Sequence, residues 1–163
     1  MAKASPKKSK AAPVAKEKAR PVAKAIPAGS GVKALKLDLP PGVLLGAHTS
    51  TSGGVSQSVA RAQGLGFTAA QIFVKNNKQW FAPPLAEEEV AHFRVARKES
   101  GIYFFAHNSY LVNLASQDPE MFATSVRAMT AELERAEALG LPFIVMHPGS
   151  HGGAGHDGGS KRR

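Results

Sequence analysis

The sequence contains no cysteine, which excludes disulfides and thiolate zinc sites and leaves histidine, aspartate and glutamate as the strong metal ligands available. It also lacks any apolar run near the roughly 18 residues of a membrane-spanning helix, and it has no signal-peptide core, so no membrane partner and no secretion are expected. Aromatic residues make up only 7% of the chain, and residues 1–42 contain none. The glycines of "GAHTSTSGG" (46–54) do not have GxGxxG spacing, so the phosphate loop of a dinucleotide-binding fold is missing after the first candidate strand. What is present is a chain of 163 residues with 43% apolar content, enough for one globular domain of ordinary size.

The net charge of +9 suggests a nucleic-acid partner until it is divided by region. Residues 1–42 carry ten Lys/Arg against Glu17 and Asp38, net +8, whereas residues 43–163 carry eleven against ten, net +1. The first segment is rich in Lys, Ala and Pro and too poor in apolar surface to offset the entropy of ordering, so it reads as a disordered basic tail. Such an arm can track the phosphate backbone without sequence choice and with strong salt dependence. A solubilising extension, or a targeting peptide short of arginine, has the same composition.

From Val43 the pattern changes. "VLLGAH" (43–48), "AAQIFV" (69–74), "IYFFAH" (102–107) and "FIVMH" (143–147) are short, nearly continuous apolar runs of the kind found in buried parallel strands. Between the first two, Val55, Val59 and Ala62 share a helical face, with Gly64 or Gly66 as the stop. Between the second and third, Glu87, Glu88 and Glu89 crowd a helix start, Arg94, Arg97 and Lys98 crowd its end, and Gly101 follows; that charge order suits the helix dipole. Before the fourth, Asp118 and Pro119 form a cap and first-turn pair. Phe122, Val126, Met129 and Leu133 form the expected apolar stripe, and Gly140 closes the helix.

This β-α-β-α-β-α-β order implies a parallel sheet with right-handed crossovers, either an open doubly wound sheet or part of a barrel. In a (β/α) barrel the chemistry sits at the C-terminal ends of the strands, and here three of the four runs end on His48, His107 and His147. Adjacent strands lie about 4.8 Å apart, so His107 and His147 could share a metal ion. Hydrogen-bonded packing histidines would give the same spacing. In "HNSYLVNL" and "HPGSH", however, each histidine stands where a buried strand enters a polar loop, a transition that packing alone does not require.

"GAHTSTSGG" (46–54), "KNNKQW" (75–80), "HNSYLVNLAS" (107–116) and "HPGSH" (147–151), in that order and at those separations, resemble the endonuclease IV family of apurinic/apyrimidinic endonucleases. The likeness runs from residue 43 to about residue 155. It implies a TIM barrel that binds three zinc ions and cleaves the phosphodiester 5′ to an abasic site in duplex DNA during base-excision repair. It also implies residue roles. His107 and His147 match zinc ligands. Lys78 matches a position where family members commonly carry an arginine that enters the DNA at the lesion; lysine keeps the charge and loses the planar stacking fork. Tyr110 matches a tyrosine near the extruded nucleotide. Asn76, Gln79 and Trp80 shape the same loop, and His48 and His151 are pocket residues. Zinc fits this chemistry because multi-metal phosphodiester cleavage needs Lewis acids to make hydroxide and neutralise phosphate charge. A repair enzyme of this kind belongs with the DNA, in the cytoplasm at the nucleoid of a bacterium or in the nucleus of a eukaryote.

Length sets a further expectation. A full barrel takes roughly 200 residues or more, and about 120 follow the tail. The fold class is therefore α/β, a partial TIM (β/α) barrel of about four parallel strands with three intervening helices after the basic tail. Residues 43–163 form the N-terminal half of such a barrel, read as a truncation. "GGAGHDGGSKRR" adds only His156 and Asp157, whereas a catalytic zinc ordinarily has three protein ligands. A non-catalytic DNA-binding remnant is thus an alternative, and a barrel of the sugar isomerase and epimerase type is a third reading. The half-barrel's unpaired strand edges would favour self-association, including a dimer of two such halves.

Overall fold

The computed structural model describes residues 39–155 and 157. Residues 1–38 of the expected basic tail, and His156, lie outside the described residues. The chain runs β1 (Gly46–His48), α1 (Gln57–Gly64), β2 (Ala69–Phe73), α2 (Glu87–Ser100), β3 (Tyr103–His107), α3 (Pro119–Ala138) and β4 (Ile144–Val145). The strands form one sheet in the order β1-β2-β3-β4, and every pairing is parallel. Sequential order with a helix in each crossover is the construction of a barrel wall. A doubly wound sheet would reverse direction partway and place helices on both faces.

All three helices cover the same face. Val59 and Ala62 of α1, Phe93 of α2 and Ala136 of α3 pack with Ala70, Ile72, Phe104 and Ala106 of the sheet in one apolar cluster. Register explains the sorting: Ala70 pairs with Phe104 and Ile72 with Ala106, so these side chains point to one side, while Phe73, His107 and Val145 align on the other.

The helix boundaries follow the expected chemistry. Asp118 caps α3 by accepting from the backbone N–H of Glu120 at 2.8 Å and of Met121 at 3.1 Å, with Pro119 in the first turn. Gly101 ends α2 in the left-handed conformation, at φ 67°. At α1 the cap comes from a neighbour, because Glu89 of α2 accepts the Ser56 N–H at 2.8 Å.

Two expectations change. The strands are shorter than the apolar runs: β1 starts at Gly46, leaving Val43, Leu44 and Leu45 exposed, and β4 is only Ile144–Val145. Both are edge strands of the described sheet, with a partner on one side only. Gly46 is required in β1, since a Cβ there would lie 1.6 Å from the carbonyl oxygen of Ala69. The second change concerns α3, which buries Ser125, Ala128, Glu132 and Ala136, while Val126 and Leu133 of the expected stripe are exposed. Small residues face the sheet because they let the helix approach closely, and Glu132 is admitted because its charge is matched, as described below.

Candidate functional site

The C-terminal ends of β1, β2 and β3 and the loop after β4 bring a row of rings onto the face opposite the helices. His48 lies 4.3 Å from Phe73 between ring centroids, Phe73 lies 5.6 Å from His107, and His107 lies 5.2 Å from His147. Tyr110 stands over the row, 5.4 Å from His107, 5.6 Å from His147 and 5.7 Å from Phe73. The two histidines that sequence spacing brought together are therefore neighbours, although the register aligns His107 with Val145 and His147 approaches from two residues further on. His48 joins the same face, where its Nδ1 is hydrogen-bonded to Gln71 Oε1 at 3.1 Å.

The histidines differ in surroundings. His107 is 8% exposed, and its Nδ1 lies 2.6 Å from the backbone oxygen of Asn108. A carbonyl can only accept, so Nδ1 carries the proton and Nε2 keeps its lone pair. His147 is exposed in the loop after β4. A bare imidazole nitrogen with a second imidazole beside it suits a borderline-soft metal such as zinc, and in this respect the residues fit. They supply two donors. Among the described residues, no group of three or more His, Asp or Glu is placed to hold a metal.

The loop after β2 carries the remaining candidates. Asn76 turns it, accepting the N–H of Lys78 on Oδ1 at 2.9 Å and that of Gln79 on its carbonyl at 3.2 Å. Lys78 and Gln79 are exposed and Trp80 is half-buried. Tyr110, 64% exposed, reaches the histidine row, whereas Lys78, Gln79 and Trp80 stand on the adjoining loop. His151 is half-buried and accepts the Gly153 N–H on Nδ1 at 3.2 Å.

Sequence reasoning missed what holds these loops in place. Lys75 and Glu132 form an ion pair at 2.9 Å with side chains 2% and 1% exposed. Glu132 also accepts from Ser109 Oγ at 2.6 Å, Ser109 N–H at 2.9 Å and Asn108 Nδ2 at 3.0 Å, while Lys75 donates to the Gln79 carbonyl. The pair thus ties the β2 loop to the β3 loop with every buried valence used, which is the condition for tolerating charge at this depth. One turn further along α3, Arg135 donates to the carbonyls of Val74 at 2.8 Å and Pro83 at 2.7 Å, gripping both flanks of the β2 loop. Burial lowers the Arg135 pKa from its ordinary value, and the charge of Glu132 opposes that shift. Asn113 links the β3 and β4 loops, since its side-chain amide donates to the Ser150 carbonyl and accepts the Ser150 N–H, both at 3.0 Å. Lys75, Asn108, Ser109 and Asn113 were signalled only by their place inside the motifs "KNNKQW" and "HNSYLVNLAS", and Glu132 and Arg135 lie outside both.

Comparison with known proteins agrees with the fold. A family described as xylose isomerase-like TIM barrel matches residues 59–163. A relative named probable endonuclease 4, from Chloroflexus aurantiacus, is 45% identical over 118 residues, covering 72% of this chain and 41% of that protein. Among solved structures, endonuclease IV from Thermus thermophilus is 38% identical with a TM-score of 0.58, over 63% of this chain and 38% of that one. A D-psicose 3-epimerase, at 18% identity and a TM-score of 0.52, shares the fold over 72% of this chain and 44% of its own. The chain spans about two fifths of the length of the curated relatives it matches, 41% for the Chloroflexus proteins.

Proposed function

Because the chain belongs to the xylose isomerase-like TIM-barrel family, with endonuclease IV proteins as its relatives, we propose that it carries the N-terminal part of the catalytic face of a zinc-dependent endonuclease that cleaves 5′ to abasic sites in DNA. The observation that carries this reading is the His107–His147 pair, 5.2 Å apart, beneath the exposed Tyr110. His107 through Nε2, and His147, would hold the metal, with further ligands coming from barrel strands outside the region that this chain matches. Zinc at such a place supplies Lewis acidity and a water that ionises near neutral pH.

The protein's own residues do the rest. Tyr110 offers a ring to a sugar turned out of the duplex, a step made cheaper because no base must be unpaired. Lys78 contributes positive charge at the lesion, on a loop whose turn Asn76 sets and whose flanks Arg135 grips. Gln79 and Trp80 shape that loop, and His48 and His151 line the pocket. The basic tail follows phosphates on either side. The expected place of action is wherever the DNA is, the bacterial nucleoid or the eukaryotic nucleus.

The test supplies the remaining barrel strands of the Chloroflexus relative in trans and measures nicking of a duplex with one abasic site. Cleavage 5′ to the site, abolished by chelator and restored by Zn²⁺, is expected. A metal-loaded, folded complex that leaves the abasic duplex intact sinks the reading. The absence of a third ligand among the described residues favours a second reading, a non-catalytic module that binds through its tail. In that case deleting residues 1–42 removes DNA affinity and flattens its salt dependence, and an unchanged salt slope refutes it.

A further inference from the structure

The peptide group between Asn108 and Ser109 connects the ring row to the buried ion pair. Its oxygen accepts Nδ1–H of His107 at 2.6 Å, and its N–H donates to Glu132 Oε2 at 2.9 Å. A peptide group is planar and stiff, so anchoring its N–H end fixes where its oxygen points. The anchor is firm: Glu132 is 1% exposed, paired with Lys75, and also bonded to the Asn108 and Ser109 side chains. A carboxylate on the N–H end polarises the group, which makes the oxygen a stronger acceptor for Nδ1–H.

We propose that Glu132 is a positioning residue for His107: through the rigid Asn108–Ser109 peptide it holds the imidazole as the Nδ1–H tautomer and leaves the Nε2 lone pair for a metal ion. This rests on the reading of His107 as a metal ligand and on no other part of the proposed activity. Glu132 never touches the ring. The Asn108 carbonyl orients the histidine directly, as carbonyls and carboxylates do at metal-binding histidines, with Glu132 one peptide further out, and Lys75 keeps the carboxylate from being an unpartnered buried charge.

The test is long-range ¹H–¹⁵N NMR of the metal-free full chain, followed by isothermal titration with Zn²⁺ alone. His107 is expected as the Nδ1–H tautomer. The variant Lys75→Met/Glu132→Leu removes both charges together, so no buried ion is stranded; in it His107 becomes a mixture of tautomers and Zn²⁺ affinity falls about tenfold. Lys75→Met/Glu132→Gln returns an oxygen to the Ser109 N–H and restores the tautomer, a rescue that a merely structural pair would not produce. Retention of the Nδ1–H form and full affinity in the folded leucine variant overturns the proposal. So does an Nε2–H tautomer in the unmodified protein, a result that needs no variant to fold. An Nδ1–H tautomer whose resonances ignore Zn²⁺ would instead refute the metal reading and leave the link from Glu132 to the tautomer standing.

Discussion

On the helix-covered side of the sheet, Ala70, Ile72, Phe104 and Ala106 are each at most 1% exposed, whereas on the opposite side Tyr103, Phe143 and Val145 are between 39% and 47% exposed. Both sides are apolar by composition. The covered side is aliphatic with one aromatic pair, Phe93 on Phe104 at 5.6 Å; the open side carries two groups of rings, Tyr103, Phe105 and Phe143 in one and His48, Phe73, His107, Tyr110 and His147 in the other. Packing determines residue identity on the first side, where volume matters and nitrogen would be a burden. On the second side, residues that could have been leucine carry ring nitrogens and a hydroxyl, so identity there is explained by what can bind.

Four substitutions test that contrast, beginning with the largest effect. Phe104→Ala should cost about 3–5 kcal/mol of stability, read as a shift of the urea midpoint at constant slope; a loss near 1 kcal/mol would mean the covered side is not the core. His147→Ala should lower Zn²⁺ affinity by about tenfold, near 1.4 kcal/mol. Because His147 is exposed, its urea midpoint should shift by no more than about 0.5 kcal/mol. A large stability loss without change in metal binding would make it a packing residue and erase the contrast. Asp118→Ala removes an acceptor from two N–H groups at the start of α3 and should cost about 1 kcal/mol. It should leave the His107 resonances unmoved, since the cap lies more than three turns from Glu132 on α3.

Much of the fold was legible because local rules and tertiary packing agree. Glu87–Glu89 and Gly101 bound α2, Asp118, Pro119 and Gly140 bound α3, and the apolar runs marked every strand. The His107–His147 encounter was also legible from neighbouring parallel strands, although the register pairs His107 with Val145 and His147 meets it from the loop two residues further on. The buried Glu132 was not. In "TAELERAEAL" it is one of three glutamates, and periodicity alone makes Leu133 the inward residue. What places Glu132 inside is Lys75, 57 positions earlier and on another element, and no local pattern contains that partner. The same holds for Asn113 and Ser150, whose two hydrogen bonds join loops that the sequence keeps 37 residues apart.

The smallest effect is the most informative about the open side. Phe143 stacks on Phe105 with centroids 5.1 Å apart and planes at 27°, yet remains 47% exposed just before an edge strand. Phe143→Ala should therefore cost about 0.5 kcal/mol, the low end for an aromatic pair, in the same urea experiment that reports on Phe104→Ala. The two variants make one chemical change on opposite faces, so their ratio measures how differently the faces are covered in solution. If Phe143→Ala cost as much as Phe104→Ala, something must bury that ring. A midpoint that rises with protein concentration would identify a second copy of the chain, joined along the β4 edge. A midpoint independent of concentration would instead place the cover within the chain itself.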